Sequence, residues 1–205
     1  MKHKLGLLAY GSLIEEPGPD IEAVKTAVIR DVTTPFNVEF ARRSSSRDMA
    51  PTLVRVDEGG ARVPAVIFVI SCTQSEAEQL IYERETRSKK PYKQPAKPTP
   101  NQVWVDVIKD FSDVETVLYT RIGDDIAIED RNAAYLATAA IESAKKRVDG
   151  KDGISYLREK LAQGMITPLS GPYEAEILKR LEVKSLDEAL KKINALPSKD
   201  GPEKA

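Results

Sequence analysis

The sequence predicts an α+β fold, with a mixed, mainly antiparallel, barrel-like β-sheet flanked by helices. Three observations carry this expectation. Up to residue 70 the apolar residues fall in short stretches cut by Pro, Ser or Gly-Gly, which suits a curled antiparallel sheet better than repeated βαβ units. From Asp130 onward they recur at helical spacing instead. Between the two lies a Thr-Gln-Ser-Glu string of the kind that opens a helix.

In chain order, residues 4–9 read as a first strand that ends in a glycine turn and a loop through Pro17-Gly18-Pro19. Residues 26–32, 36–42, 51–57 and 62–70 read as further strands, and the run VPAVIFVI (63–70) is apolar enough for a central strand buried on both faces. Thr73-Gln74-Ser75-Glu76 matches a capping box, in which the threonine side chain caps the third residue's N–H and the glutamate bonds back. The helix it opens places Ala77, Leu80, Ile81 and Arg84 on one side. Residues 87–101 are rich in lysine and broken by Pro91, Pro95, Pro98 and Pro100, so they form a loop or a long hairpin connection.

Residues 102–109 and 115–121 give two more strands. Ala133, Ala137, Ala140, Ile141, Ala144 and Val148 then make an apolar stripe at helical period. Asp152 can cap a second helix with Ile154, Leu157 and Leu161 inward, and Gly171-Pro172 begins a third. Ser185-Leu186-Asp187-Glu188 is a second capping box opening a short last helix. One domain over residues 1–196 is expected, followed by a polar, disordered tail at 197–205.

Composition narrows the function classes. At 205 residues, 41% hydrophobic and 31% charged, the chain has the make-up of a soluble globular domain. Lysine plus arginine (31) nearly balances aspartate plus glutamate (32), so neither nucleic acid nor a membrane surface is an expected partner. The single tryptophan, Trp104, offers no base-stacking platform. No apolar run approaches the roughly 18 residues of a spanning helix, and the N-terminus has no signal-peptide profile. Cys72 alone cannot form an internal disulfide and is expected as a small buried apolar residue, so a cytoplasmic location is expected. No oligomeric state follows from the sequence.

His3, the lone histidine, sits near the N-terminus and reads as frayed or solvated. A Ser-His-Asp or Cys-His arrangement would have to be built on it, and a zinc site would lack ligands. The carboxylate count permits a Mg²⁺ or Ca²⁺ site, but no EF-hand or P-loop spacing is present. Any chemistry therefore falls to carboxylates, tyrosines, basic residues and backbone amides, with no metal and no cofactor expected.

The most informative stretch is Leu8-Ala9-Tyr10-Gly11-Ser12-Leu13-Ile14. A strand ending in Tyr10-Gly11-Ser12-Leu13 puts a glycine where the backbone can turn sharply and approach a ligand. Amides of Tyr10, Gly11, Ser12 and Leu13, with the Ser12 hydroxyl, could then hold a carboxylate or a developing oxyanion. An ordinary tight turn is the alternative. Ser12 as a covalent nucleophile has no histidine to activate it.

The longer string from Ala9 to Gly18, Ala-Tyr-Gly-Ser-Leu-Ile-Glu-Glu-Pro-Gly, resembles the glycine-loop signature of the γ-glutamylcyclotransferase-like family, with the ChaC-type branch closest. Four further pieces resemble that branch in order: Arg42-Arg43-Ser44-Ser45-Ser46-Arg47-Asp48, Tyr82-Glu83-Arg84-Glu85, Val117-Leu118-Tyr119-Thr120, and Tyr135-Leu136 with residues 150–161. Glu15-Glu16 stands where the branch has an aromatic residue, and Thr86-Arg87-Ser88-Lys89 where a Gly-Gly-Tyr run follows the Arg-Glu pair.

The resemblance implies the γ-glutamylcyclotransferase-like fold and an enzyme acting on a small-molecule γ-glutamyl substrate, releasing 5-oxoproline. The substrate's own α-amine attacks its side-chain carbonyl, a tethered reaction whose entropic barrier is largely met in the substrate. Glu85 is the implied general acid/base, with Glu83 as a rival that helical phase points further toward solvent. Tyr10, Gly11, Ser12 and Leu13 are the implied γ-glutamyl pocket; Arg43, beside Arg42 and Arg47, could pair with a substrate carboxylate, and Tyr119 with its amine or carboxylate. Exposed arginines and a half-buried strand tyrosine are the alternatives for the last two. The leaving amine stays open between glutathione, a γ-glutamyl amino acid and a γ-glutamyl amine. The alternative function is a non-catalytic module that binds a small carboxylate on the same fold.

Overall fold

The computed structural model describes residues 2–146 and 150–195, so Val148 and the expected tail at 197–205 lie outside the described residues. In chain order the elements are β1 (His3–Ala9), α1 (Ser12–Glu15), α2 (Pro19–Val24), β2 (Lys25–Thr33), β3 (Asn37–Ser44), β4 (Ala50–Val56), β5 (Pro64–Ile70) and α3 (Gln74–Thr86). These are followed by β6 (Trp104–Phe111), β7 (Val114–Arg121), α4 (Ala133–Lys145), α5 (Gly153–Ala162), α6 (Ser170–Leu181) and α7 (Leu186–Asn194). Where one domain is expected, contacts group the described residues into two compact units. The first is drawn from Met1–Asn37 and Arg62–Asp124, the second from Val38–Ala61 and Asp125–Ala205.

In the first unit five strands form one sheet in the order β2-β5-β1-β7-β6. Every pairing is antiparallel except β1 with β7, where Leu5 lies opposite Thr116 and Leu7 opposite Leu118. The sheet is mainly antiparallel, as expected, but it is open rather than barrel-like: β2 and β6 are edges with one neighbour each. The reason is visible in the partners of the other strands. β3 and β4, expected within the same curled sheet, pair with each other in the second unit. β2 also carries register shifts near Lys25 and Ile29, bulges of the kind that twist an edge away from further pairing.

The residues of β1 alternate between two apolar layers. Leu5, Leu7 and Ala9 pack in one with Leu13, Phe68, Leu118 and with Ala77 and Ile81 of α3. Leu8 packs in the other with Ile67, Val117 and Tyr119, and Tyr10 and Phe36 lie against that layer. A side chain at Gly6 would bring a Cβ within 2.5 Å of Ile67 Cγ2, so only glycine lets β1 lie this close to β5. β5 is buried from Ala65 to Ile70, as its composition predicts. The His3 side chain is solvated, one of the two expected outcomes, but its backbone is not frayed. Its N–H donates to Asp113 O at 2.9 Å and it pairs with Val114, so the backbone is fixed while the side chain stays exposed.

The capping box of α3 is complete: Glu76 N–H donates to Thr73 Oγ1 (3.3 Å) and Thr73 N–H to Glu76 Oε2 (2.8 Å). The helix ends on Arg87 in the left-handed region (φ 56°), whose N–H reaches Glu83 O at 2.7 Å. The expected loop before β2 contains two short helices, the second opening on Pro19, where a missing N–H costs nothing.

The second unit pairs β3 with β4 and covers β4 with α4 and α5. Phe40 meets the rings of Tyr156 and Tyr173 edge-on, with centroids 6.5 and 5.2 Å away. Asp152 caps α5 as predicted, accepting from Ile154 and Ser155 N–H at 2.8 Å each. Leu136 joins the buried stripe of α4, and Leu161 of α5 is only partly buried. The second capping box is half made. Ser185 accepts from Glu188 N–H, but the Glu188 carboxylate accepts from Lys184 N–H instead of closing on Ser185. Among the described residues, no helix is long and apolar enough to cross a membrane.

Candidate functional site

The end of β1 and the end of α3 meet within the first unit. Gly11 has φ 61° and ψ −137°, a backbone quadrant that side-chain-bearing residues enter only with strain. A Cβ there would meet nothing within 4 Å, so the constraint lies in the backbone and not in space. Past the turn, Ile14 N–H donates to Gly11 O (3.2 Å) and Glu16 N–H to Ser12 O (2.9 Å). The amides of Ser12 and Leu13 precede the first helical hydrogen bond, as at any helix start. The Leu13 side chain, 5% exposed, anchors the turn in the apolar layer shared with α3.

Arg84 ties this turn to α3. Its Nε and Nη2 donate to Glu16 O at 3.1 and 2.9 Å, and Nη2 also reaches Ser12 Oγ at 3.2 Å. Its Nη1 donates to Glu85 Oε1 at 2.8 Å. The Glu85 side chain keeps 29% of its accessible surface, against 19% for Arg84. One carboxylate oxygen is thus committed to the guanidinium, and the other faces no described donor.

Glu83 stands differently from its expected solvent-facing place. Its side chain is 17% exposed, less than that of Glu85, because the following loop folds back over it. Gln79 Nε2 donates to Oε1 (2.7 Å) and Lys89 Nζ to Oε2 (2.5 Å). The Lys89 ammonium, helped by Gln79, holds the Glu83 carboxyl below its ordinary range. Gln79 also accepts from Tyr92 N–H (2.6 Å) and donates to Lys90 O (3.0 Å), so the first part of the basic loop is pinned to α3. Further along, the Tyr92 hydroxyl accepts from Val105 N–H at 2.8 Å.

No protein-family model, curated protein or solved structure matches this chain.

The side chains of the other residues named from sequence have their own partners, while the Tyr10 main chain leads into the Gly11 turn. Tyr10 and Tyr119 belong to the sheet layer opposite the one α3 covers, joined through Phe36 with ring centroids 5.8 and 4.8 Å away. Tyr119 Oη donates to Asp106 Oδ2 at 3.2 Å. Arg43 lies in the second unit, where its N–H donates to Asp125 Oδ1 (2.8 Å) and its guanidinium pairs with the same carboxylate at 3.6 Å. Cys72 is half-buried against the layer under α3, and burial raises its thiol pKa. Among the described residues, no three His, Cys, Asp or Glu side chains converge to hold a metal ion.

Sequence reasoning gave roles to Ser12 and Glu85 but none to Arg84, the group joining them. A signal was present. Arg84 falls on the stripe of Ala77 and Ile81, and a cation on a helix's apolar side must find acceptors there.

Proposed function

We propose that the protein is an intramolecular γ-glutamyl cyclotransferase that releases 5-oxoproline from a γ-glutamyl peptide or amine. The reading is supported above all by one observation: the Ser12 turn and the Glu85 carboxylate belong to a single hydrogen-bonded set through Arg84.

In this reading Glu85 takes a proton from the substrate α-amine as its nitrogen bonds to the γ-carbonyl carbon. The amides and hydroxyl of the turn stabilise the resulting oxyanion. The bond to the leaving nitrogen then breaks, and the proton held by Glu85 passes to that nitrogen. Glu83 is the weaker candidate, since both its oxygens are occupied and Lys89 lowers its affinity for a proton.

The test is direct. Purified protein is incubated with glutathione, γ-glutamyl amino acids and γ-glutamyl amines, and 5-oxoproline is quantified. Release from one class names the leaving amine, and Glu85→Gln should abolish that release with an unchanged melting temperature. Full turnover by E85Q would remove Glu85 from the role, while tight binding without release would favour a carboxylate-binding module instead.

A further inference from the structure

We propose that Arg84 is a positioning residue, the rigid link that holds the Glu85 carboxylate in register with the glycine turn. Its chemical consequence rests on the cyclotransferase reading above; its structural consequence does not.

A guanidinium is planar and presents its N–H groups in a fixed fork. Arg84 spends two of its nitrogens on one acceptor, Glu16 O (3.1 and 2.9 Å), a third contact on Ser12 Oγ (3.2 Å), and its remaining nitrogen on Glu85 Oε1 (2.8 Å). Because the fork is rigid, Glu85 cannot shift against the turn without breaking one of these contacts. The turn needs such a clamp. α1 is a four-residue helix with no side-chain cap, too short to hold itself, and Glu16 is the residue on which it ends. The guanidinium is largely withdrawn from water, so the contacts made from it are worth more than those of a free surface arginine. Glu85 is adjacent in sequence, and its own stem has the freedom of an exposed helix end. Arg84 is what restricts it.

Lysine cannot substitute. An ammonium can meet the Glu16 carbonyl or the Glu85 carboxylate as a point charge, but it cannot span the fork. A misplacement of about 1 Å in a tethered reaction costs on the order of 100-fold in rate.

The experiment compares wild type, Arg84→Lys, Arg84→Ala and Glu85→Gln in the full chain. It measures 5-oxoproline release on the γ-glutamyl panel and amide hydrogen exchange over residues 12–16. R84K should lose about 100-fold in kcat, with KM within about threefold of wild type. Guanidinium ion, added to R84A below any concentration that perturbs wild type, should restore part of kcat, which it would not do for a misfolded variant. Exchange over residues 12–16 should quicken in R84A and R84K and stay at the wild-type rate in E85Q. Wild-type kcat in R84K, or a loss confined to thermal stability with no guanidinium rescue, overturns the proposal. If wild type releases no 5-oxoproline from any substrate, the cyclotransferase reading fails by itself. The exchange measurement then decides the link: faster exchange sustains it, and an unchanged turn in R84A overturns it.

Discussion

Tyr173 is fully buried, and its hydroxyl has no hydrogen-bond partner among the described residues. Such a group bears the full cost of leaving water, about 1–3 kcal/mol, with no bond in return. Tyr173→Phe keeps the ring against Phe40 and removes only the stranded oxygen, so it should stabilise the protein by about 1 kcal/mol in a urea titration. The pH dependence gives a second readout. Burial, with the nearby Asp152 carboxylate, raises the phenol above the ordinary tyrosine range. In the unfolded chain that phenol ionises at its ordinary value, so its contribution is intact below that range and declines as pH climbs past it. Y173F should lack this alkaline component; an identical alkaline limb in both proteins would contradict it. A residue-scale fact of this kind is not written in sequence, where Tyr173 is one apolar-compatible position in a helix. Arg84 was half written: its phase on α3 could be counted, but its acceptors, Ser12 and Glu16, lie far away in the chain.

Elements were legible where their rules are local. The capping box of α3, the Asp152 cap of α5 and the apolar run of β5 each depend on residues within a few positions, and each formed. What sequence left open was whatever depends on a distant partner. Tyr10 and Tyr119 face the layer opposite α3 because strand residues alternate, and which alternate faces the helix is fixed only by the packing. The start of α6 makes the same point. Leu169, its N-cap, has no side chain able to cap, and the carboxylate of Glu39 in β3 instead fixes the residues just before the helix. Glu39 is 4% exposed and accepts from Thr167 Oγ1 (2.6 Å), Phe40 N–H (2.9 Å) and Leu169 N–H (3.3 Å). Glu39→Ala strands the two amides, so a loss of about 3 kcal/mol is expected by chemical denaturation. A loss under about 1 kcal/mol would mean that α6 starts without it.

At the scale of the molecule, neither unit is continuous in sequence, and this is why an expected barrel became an open sheet. Spacing marks residues 36–42 and 51–57 as strands, correctly, but strand periodicity carries no address. They leave the five-stranded sheet for a pairing of their own with later helices over it. The first unit nevertheless closes on itself where they depart. Thr33 lies opposite Pro64, and Thr34 N–H donates to Val63 O at 2.9 Å, so β2 and β5 already form the arms of a hairpin whose loop is the 38–61 segment. Replacing that segment with a short glycine-containing turn, and ending the chain at Asp124, should leave a fragment with its sheet, α3 and apolar layers intact. It should melt cooperatively and show native-like chemical shifts for β1 and β7. Ser12, Arg84 and Glu85 all lie within it, so it should also release 5-oxoproline wherever the full chain does. A fragment without a cooperative transition would show that the first unit needs the rest of the chain in order to fold. A folded but silent one would return residues of the second unit, Arg43 first, to the chemistry.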